Sequence, residues 1–409
     1  MSDLLRKDWQ EGTVDRHTWT ADPTLGAARE LLRAGFAALE RGNRQEARLK
    51  YDQAVSSAAG ADLAEIADAE AVTFAGIMLR DAGDMAEARR YLEKAVAASG
   101  ISGESATSST AALTERAATL CETLSGVYGN LGEFAAAATA AEDALRIVRE
   151  LGMGMGREAN ALYNIGMAKS LAGDHAGAAE ALTEGLGVAK ALDGDFGWET
   201  IQQALASTLI DAGRPEEALT YLRDLEDIHV AMPDLAVSAV KCAFEEARAL
   251  VALGKLEEAA ASFEKAGRLG VRTEGAADIA ALAFHHQAVS LAQAGKTMEA
   301  AIPMGRAADT YEAIGAQAAA AHCVGLIGDL FAEAGQPIEA AGYFREAVER
   351  LEKILHETET AAASPAPGPV LPDYGAKEQA EQDYTTPEAR AAMEADLQEF
   401  KAKLVSVSP

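Results

Sequence analysis

ARALVALGKLEEAAASFEKA, residues 247–266, carries the pattern on which the chain is built. An apolar-periodic stretch runs up to Gly254 and breaks, and a second begins within two residues. Around that glycine stand Ala247 seven residues before, Ala259 five after, Phe263 nine after and Ala266 twelve after. Glu258 precedes Ala259 directly. Glycine supplies the positive φ that ends one helix, and an acid in the first turn of the next is favoured by the helix dipole. The stretch therefore predicts two helices joined by a tight turn.

The same phase recurs along the chain. Gly42, Gly83, Gly132, Gly173, Gly213, Gly254, Gly295 and Gly335 follow one another at gaps of 41, 49, 41, 40, 41, 41 and 40 residues. Five residues after each stands an alanine: Ala47, Ala88, Ala137, Ala178, Ala218, Ala259, Ala300 and Ala340. Seven before each the side chain is small, and nine after it is large and apolar except at Ala141. Small residues on both sides of the turn let the helices approach closely, and the large residue is expected to fill the gap toward the next hairpin. Pro215 and Pro337 open their second helices, where a missing N–H costs nothing. The fold expected is all-α, with sixteen helices paired from about 24–41 with 44–59 through to 316–334 with 337–356.

At these positions the sequence resembles the tetratricopeptide repeat family, over roughly residues 24–356. The 40–41-residue period resembles the long-helix variety of that family, not its usual length of about 34. Two departures stand out: Leu31, Val72, Cys121, Leu162 and Phe284 replace the early tryptophan of the repeat, and its closing proline is missing. The resemblance implies a right-handed superhelical α-solenoid of about eight helix hairpins, with the first helix of each lining a concave surface.

Outside the array, residues 1–23 form an arm whose Trp9 and Trp19 are expected to dock on the first repeat. The 49-residue gap places an insertion at Ser99–Thr110, and Gly152 to Gly156 reads as a flexible connection. Pro303 falls inside a predicted helix, where it is expected to kink or break it. Residues 357–386 form an Ala/Pro-rich linker. Beyond it, 387–405 reads as a tethered amphipathic helix with Met393, Leu397, Phe400 and Leu404 on one side. That stripe calls for a packing surface: the array's end, its groove, or another subunit.

Composition narrows the function. Sixty-four acids against 36 bases give a net charge of −28, which opposes phosphate-backbone binding and argues against a nucleic-acid partner. No apolar run approaches a bilayer span, so no membrane insertion is expected, and the first ten residues lack a signal-peptide core. Cys121, Cys242 and Cys323 have no metal or redox spacing and fit a reducing cytoplasm. Gly295-Lys296-Thr297 copies the end of a phosphate loop but sits in the helix-to-helix turn register, without a preceding strand. His285, His286 and His322 cluster without a carboxylate or cysteine at ligand spacing, so they read as solvated or groove-facing, not as a metal site. No nucleophile arrangement appears. No catalytic residue, metal or cofactor is expected.

Binding remains. The family resemblance implies ligand contacts on the first helix at thirteen, ten, nine, six and three residues before the turn glycine. Those positions select Arg33, Thr73, Asn160, Tyr163, Asn164, Met167, Gln203, Ser207, Lys241, Arg248 and His285. Asn164, just ahead of the small Gly166, resembles the asparagines with which long-helix members hold a peptide backbone; an amide both donates and accepts. The expectation is a non-enzymatic scaffold for a peptide segment or protein partner. The alternatives are a peptide- or small-molecule sensor whose superhelix responds to its ligand, and a homo-oligomer formed through the C-terminal helix.

Overall fold

The computed structural model describes scattered positions from 30 to 41 and then residues 43–58, 85–99, 115–192, 197–231, 235–363 and 386–407. The arm with Trp9 and Trp19, the first helix of the second repeat and nearly all of the 99–110 insertion lie outside them. The described residues hold fifteen helices. These are α1 (Arg44–Ala58), α2 (Met85–Ser99), α3 (Glu115–Asn130), α4 (Phe134–Glu150) and α5 (Met155–Leu171). They continue with α6 (His175–Lys190), α7 (Trp198–Asp211), α8 (Pro215–Ala231), α9 (Ala236–Ala252) and α10 (Leu256–Gly270). The last five are α11 (Ala277–Gln293), α12 (Thr297–Ala313), α13 (Gln317–Glu333), α14 (Pro337–Ala363) and α15 (Pro387–Val407). The chain forms two compact units that divide inside α7, between Ile201 and Gln202. Each is a stack of antiparallel helix hairpins, the arrangement of an all-α solenoid.

The turns are built alike. Gly132, Gly173, Gly213, Gly254, Gly295 and Gly335 have φ between 72° and 85°, a region that side-chain-bearing residues enter at a cost. After each, the next N–H reaches back to a carbonyl five residues earlier: Lys255 to Leu250 at 2.9 Å, Lys296 to Leu291 at 2.9 Å, Arg214 to Leu209 at 2.8 Å. This 6→1 bond is the Schellman closure, and it satisfies a carbonyl the first helix leaves open.

The small–large pairing acts inside one hairpin as well as between hairpins. A Cβ on Gly166 would stand 2.4 Å from Leu182 Cγ, and one on Gly328 would stand 2.7 Å from Phe344 Cε1. The large residue nine after the turn thus lies on the small residue seven before it. Phe263 reaches outward as well, stacking on His286 of the next hairpin at 5.4 Å between ring centroids. Where the small residue is Ser125, its hydroxyl donates to the Ala137 carbonyl at 2.8 Å and ties α3 to α4.

Two local expectations change. Pro303 does not break its helix: α12 runs unbroken from Thr297 to Ala313 with Pro303 buried inside it. Proline forfeits one backbone hydrogen bond there, and the burial of Pro303 with Met304, Ala307 and Ala308 offsets it. The helix α14 continues to Ala363, past the 356 expected. The stretch 357–363 holds neither glycine nor proline and ends in three alanines, so nothing stops the helix before Pro365.

The C-terminal helix α15 packs against α14 and α13 of its own chain. Met393, Leu397 and Phe400 are buried there. The Phe400 ring fills the space over Gly325, where a Cβ would meet it at 2.1–2.5 Å, and stacks on Phe344. Asp396 is hydrogen-bonded to His322 Nδ1 at 2.8 Å, and ion pairs join Lys403 to Asp329 at 2.8 Å and Lys401 to Glu352 at 2.7 Å. The helix thereby takes the place that a ninth first helix would have, and covers the apolar end of the stack.

Candidate binding faces on the first helices

Arg33 and Thr73 lie outside the described residues. The others divide between the two units: Asn160, Tyr163, Asn164 and Met167 on α5 in the first, and Gln203, Ser207, Lys241, Arg248 and His285 on α7, α9 and α11 in the second.

On α5, Ala161, Leu162 and Ile165 turn into the core while Asn160 is exposed and Tyr163, Asn164 and Met167 are half-buried. That division follows from helical spacing, since residues three and four apart share a face. Burial raises the Tyr163 phenol pKa, so the group stays protonated and able to donate. The α3 helix contributes Gly126 and Gly129 at the corresponding positions, with open space where each Cβ would be.

In the second unit the side chains are more engaged. Gln203 Nε2 donates to the Ser238 carbonyl at 3.4 Å and lies 3.5 Å from Cys242 Sγ. Arg248 is the centre of a network: its guanidinium reaches Asp211 at 2.6 Å, Glu245 at 2.7 Å and Ser207 Oγ at 3.3 Å. Burial lowers and the two carboxylates raise the Arg248 pKa, with a net rise, so its charge is permanent. Burial pushes the Glu245 carboxyl above its ordinary range, against the opposing pull of Arg248. Arg248 is therefore not the free basic contact the sequence suggests, because two acids already neutralise it. Lys241 is exposed.

His285 and His286 are half-buried and engaged by neighbouring side chains. His286 lies edge-on to Phe244 at 5.7 Å and stacks on Phe263. His285 Nδ1 sits 3.8 Å from Cys323 Sγ. Burial first, then the neighbouring His286 and His322, bring the His285 pKa down to about 4; burial and then Arg248 lower that of His286. Both are neutral rings at the core's edge near pH 7. Burial raises the Cys121 and Cys323 thiols to about 12, so neither is a nucleophile. Among the described residues no group of three or more His, Cys, Asp or Glu is arranged to hold a metal ion, and no helix is long and apolar enough to cross a membrane.

Asp211 escaped the sequence reading because it stands two residues before the turn glycine, outside the five positions considered. A signal existed: Asp211 and Arg248 are 37 residues apart, just under one repeat, and charged residues at that separation meet across adjacent first helices. Arg157 and Glu122, 35 apart, do the same in the first unit at 3.0 Å.

With hairpin, turn and face defined, the fold is that of a tetratricopeptide-type repeat protein. No protein-family model matches the chain, and no curated protein matches it. Among solved structures, the chain is similar to the apo form of RapI, with a TM-score of 0.51 and 11% identity over 93% of this chain and 98% of that one. A tetratricopeptide repeat protein from Parabacteroides merdae is similar over 70% of this chain and 93% of its own, with 16% identity and a TM-score of 0.46. A Rap protein complexed with competence and sporulation factor is similar over 94% of this chain and 98% of its own, with 14% identity and a TM-score of 0.44.

Proposed function

We propose that this chain is a non-catalytic adaptor which captures a peptide segment or a protein surface on the first-helix faces of its hairpins. The observation that carries the reading is the division of labour on α5. Leu162, Ile165 and Gly166 are consumed by packing, whereas Asn160 and Asn164 are at or near the surface and make no side-chain hydrogen bond among the described residues. Amides held on a rigid helix lose little entropy on binding and offer paired donor and acceptor groups to a partner's backbone. Buried free cysteines suit a reducing compartment, and the cytoplasm is the location we propose. Burial of Met393, Leu397 and Phe400 within the chain favours the adaptor reading over self-association through α15.

The test is capture from the cell that makes the protein, with wild-type chain and Asn164→Ala/Met167→Ala as parallel baits, read by cross-linking mass spectrometry. A protein cross-linked to α5 and recovered only with the wild type supports the adaptor reading. Equal recovery with both baits moves binding away from this face, and no recovery with either removes the reading.

A further inference from the structure

The second unit carries a charge imbalance that its own elements do not correct. Arg248 bridges Asp211 of α7 and Glu245 of α9, so two carboxylates share one guanidinium. The helix packed beside them, α11, presents His286 there, and burial keeps that ring neutral near pH 7. The other cation on the α9 face, Lys241, is exposed and makes no ion pair among the described residues. It stands seven residues from Arg248, about 10 Å along the helix axis. One negative charge is therefore left over in a partly desolvated site, where an unbalanced charge costs more than it would in water.

Apolar surface adjoins it. Val251, one turn from Arg248 on the same helix, is 36% exposed. Phe244, the residue before Glu245 on α9, is half-buried, its ring edge-on to Phe263 and His286. A carboxylate pair with spare acceptor capacity beside apolar side chains has a definite complement: a cation carried next to an apolar group.

We propose that the first-helix face formed by α7, α9 and α11 is a docking site for a partner's polypeptide segment that presents a lysine or arginine beside a bulky apolar side chain, the cation completing the Asp211–Arg248–Glu245 network. This rests on the adaptor reading and specifies the partner's chemistry for the second unit. The net charge of −28 steers such segments toward the protein and repels acidic ones. The burial that raises the Glu245 pKa is in keeping with this, since an added cation returns that carboxyl toward its ordinary range.

The probe is a phage-displayed library of random dodecapeptides selected on the full chain, followed by fluorescence anisotropy with the enriched peptides. We expect enrichment of Lys or Arg adjacent to Leu, Ile or Phe, with affinity falling roughly tenfold in Asp211→Asn/Glu245→Gln. Because that double variant alters a packed network, Lys241→Glu is measured beside it. Lys241 is exposed and unpaired, so its replacement leaves the fold alone and tightens binding of the basic peptides several-fold. Enriched peptides without a basic residue, or affinities that neither substitution moves, overturn the docking site. If those peptides instead lose binding in Asn164→Ala/Met167→Ala, the adaptor reading stands without it. If no peptide is enriched, the docking site falls, and the adaptor reading is left to the capture experiment above.

Discussion

The contact between Phe400 and Gly325 gives a test of whether α15 is held by one buried ring or by its surface ion pairs. Phe400 is 1% exposed and occupies the volume a Cβ on Gly325 would need. Truncating it in Phe400→Ala should cost about 3–5 kcal/mol of α15 docking. Each of the two lysine ion pairs from α15 to the array is surface-located and contributes about 0–1 kcal/mol. The ring should therefore outweigh any one of them. Gly325→Ala alone gains about 1 kcal/mol of helix propensity but drives a methyl into the ring, so its net effect is a loss. In the Phe400→Ala background the methyl enters vacated space and the propensity gain is realised. The two substitutions should thus be strongly non-additive, the double variant being more stable than the sum of the singles by about 1–3 kcal/mol. Hydrogen exchange of the α15 amides reads this locally, with protection falling on the order of a hundredfold or more in Phe400→Ala. If the singles add within about 0.5 kcal/mol, or if Lys403→Ala releases α15 as fully as Phe400→Ala, the ring is not what holds the helix.

Three further outcomes follow from individual sites. His285 binds its proton less readily folded, at about 4, than unfolded, so stability is unaffected above its ordinary value and falls as pH drops from about 6.5 toward 4. The ceiling is about 3 kcal/mol before solvent screening, and in urea melts the loss between pH 7 and 4.5 should be smaller by about 2 kcal/mol in His285→Gln; an equal loss refutes it. Gly254→Ala meets no atom within 4 Å but keeps a φ of +72°, so it should destabilise by about 1 kcal/mol, while Gly342→Ala, equally unobstructed inside α14, should stabilise by about 0.5–1 kcal/mol in the same melts. Gln287 buries an Oε1 with no hydrogen-bond partner among the described residues, so Gln287→Met should leave stability unchanged or raise it by up to about 1 kcal/mol; a loss above 2 kcal/mol would mean the amide is engaged after all.

The repeat was legible in the sequence because everything that defines it is local. The turn glycine, the first-turn acid and the pairing of Gly166 with Leu182 or Gly328 with Phe344 lie within sixteen residues of one another. Backbone geometry alone relates such positions once both helices and the turn are specified. The Asn160–Asn164 face was legible for the same reason, since helical spacing separates it from Leu162 and Ile165.

What the tertiary structure decided depends on distances that no local code sets. Arg248 is consumed by Asp211 and Glu245 because adjacent first helices bring a residue 37 positions away within 2.6 Å. The α15 stripe could have covered an end, a groove or another chain; it lies on α13 and α14 because Gly325 leaves room there for Phe400. Pro303 is tolerated because burial against neighbouring helices outweighs one lost hydrogen bond, and no reading of its own helix measures that burial. Hairpin geometry is a property of short segments, whereas the charge and coverage of a face are properties of what packs beside it.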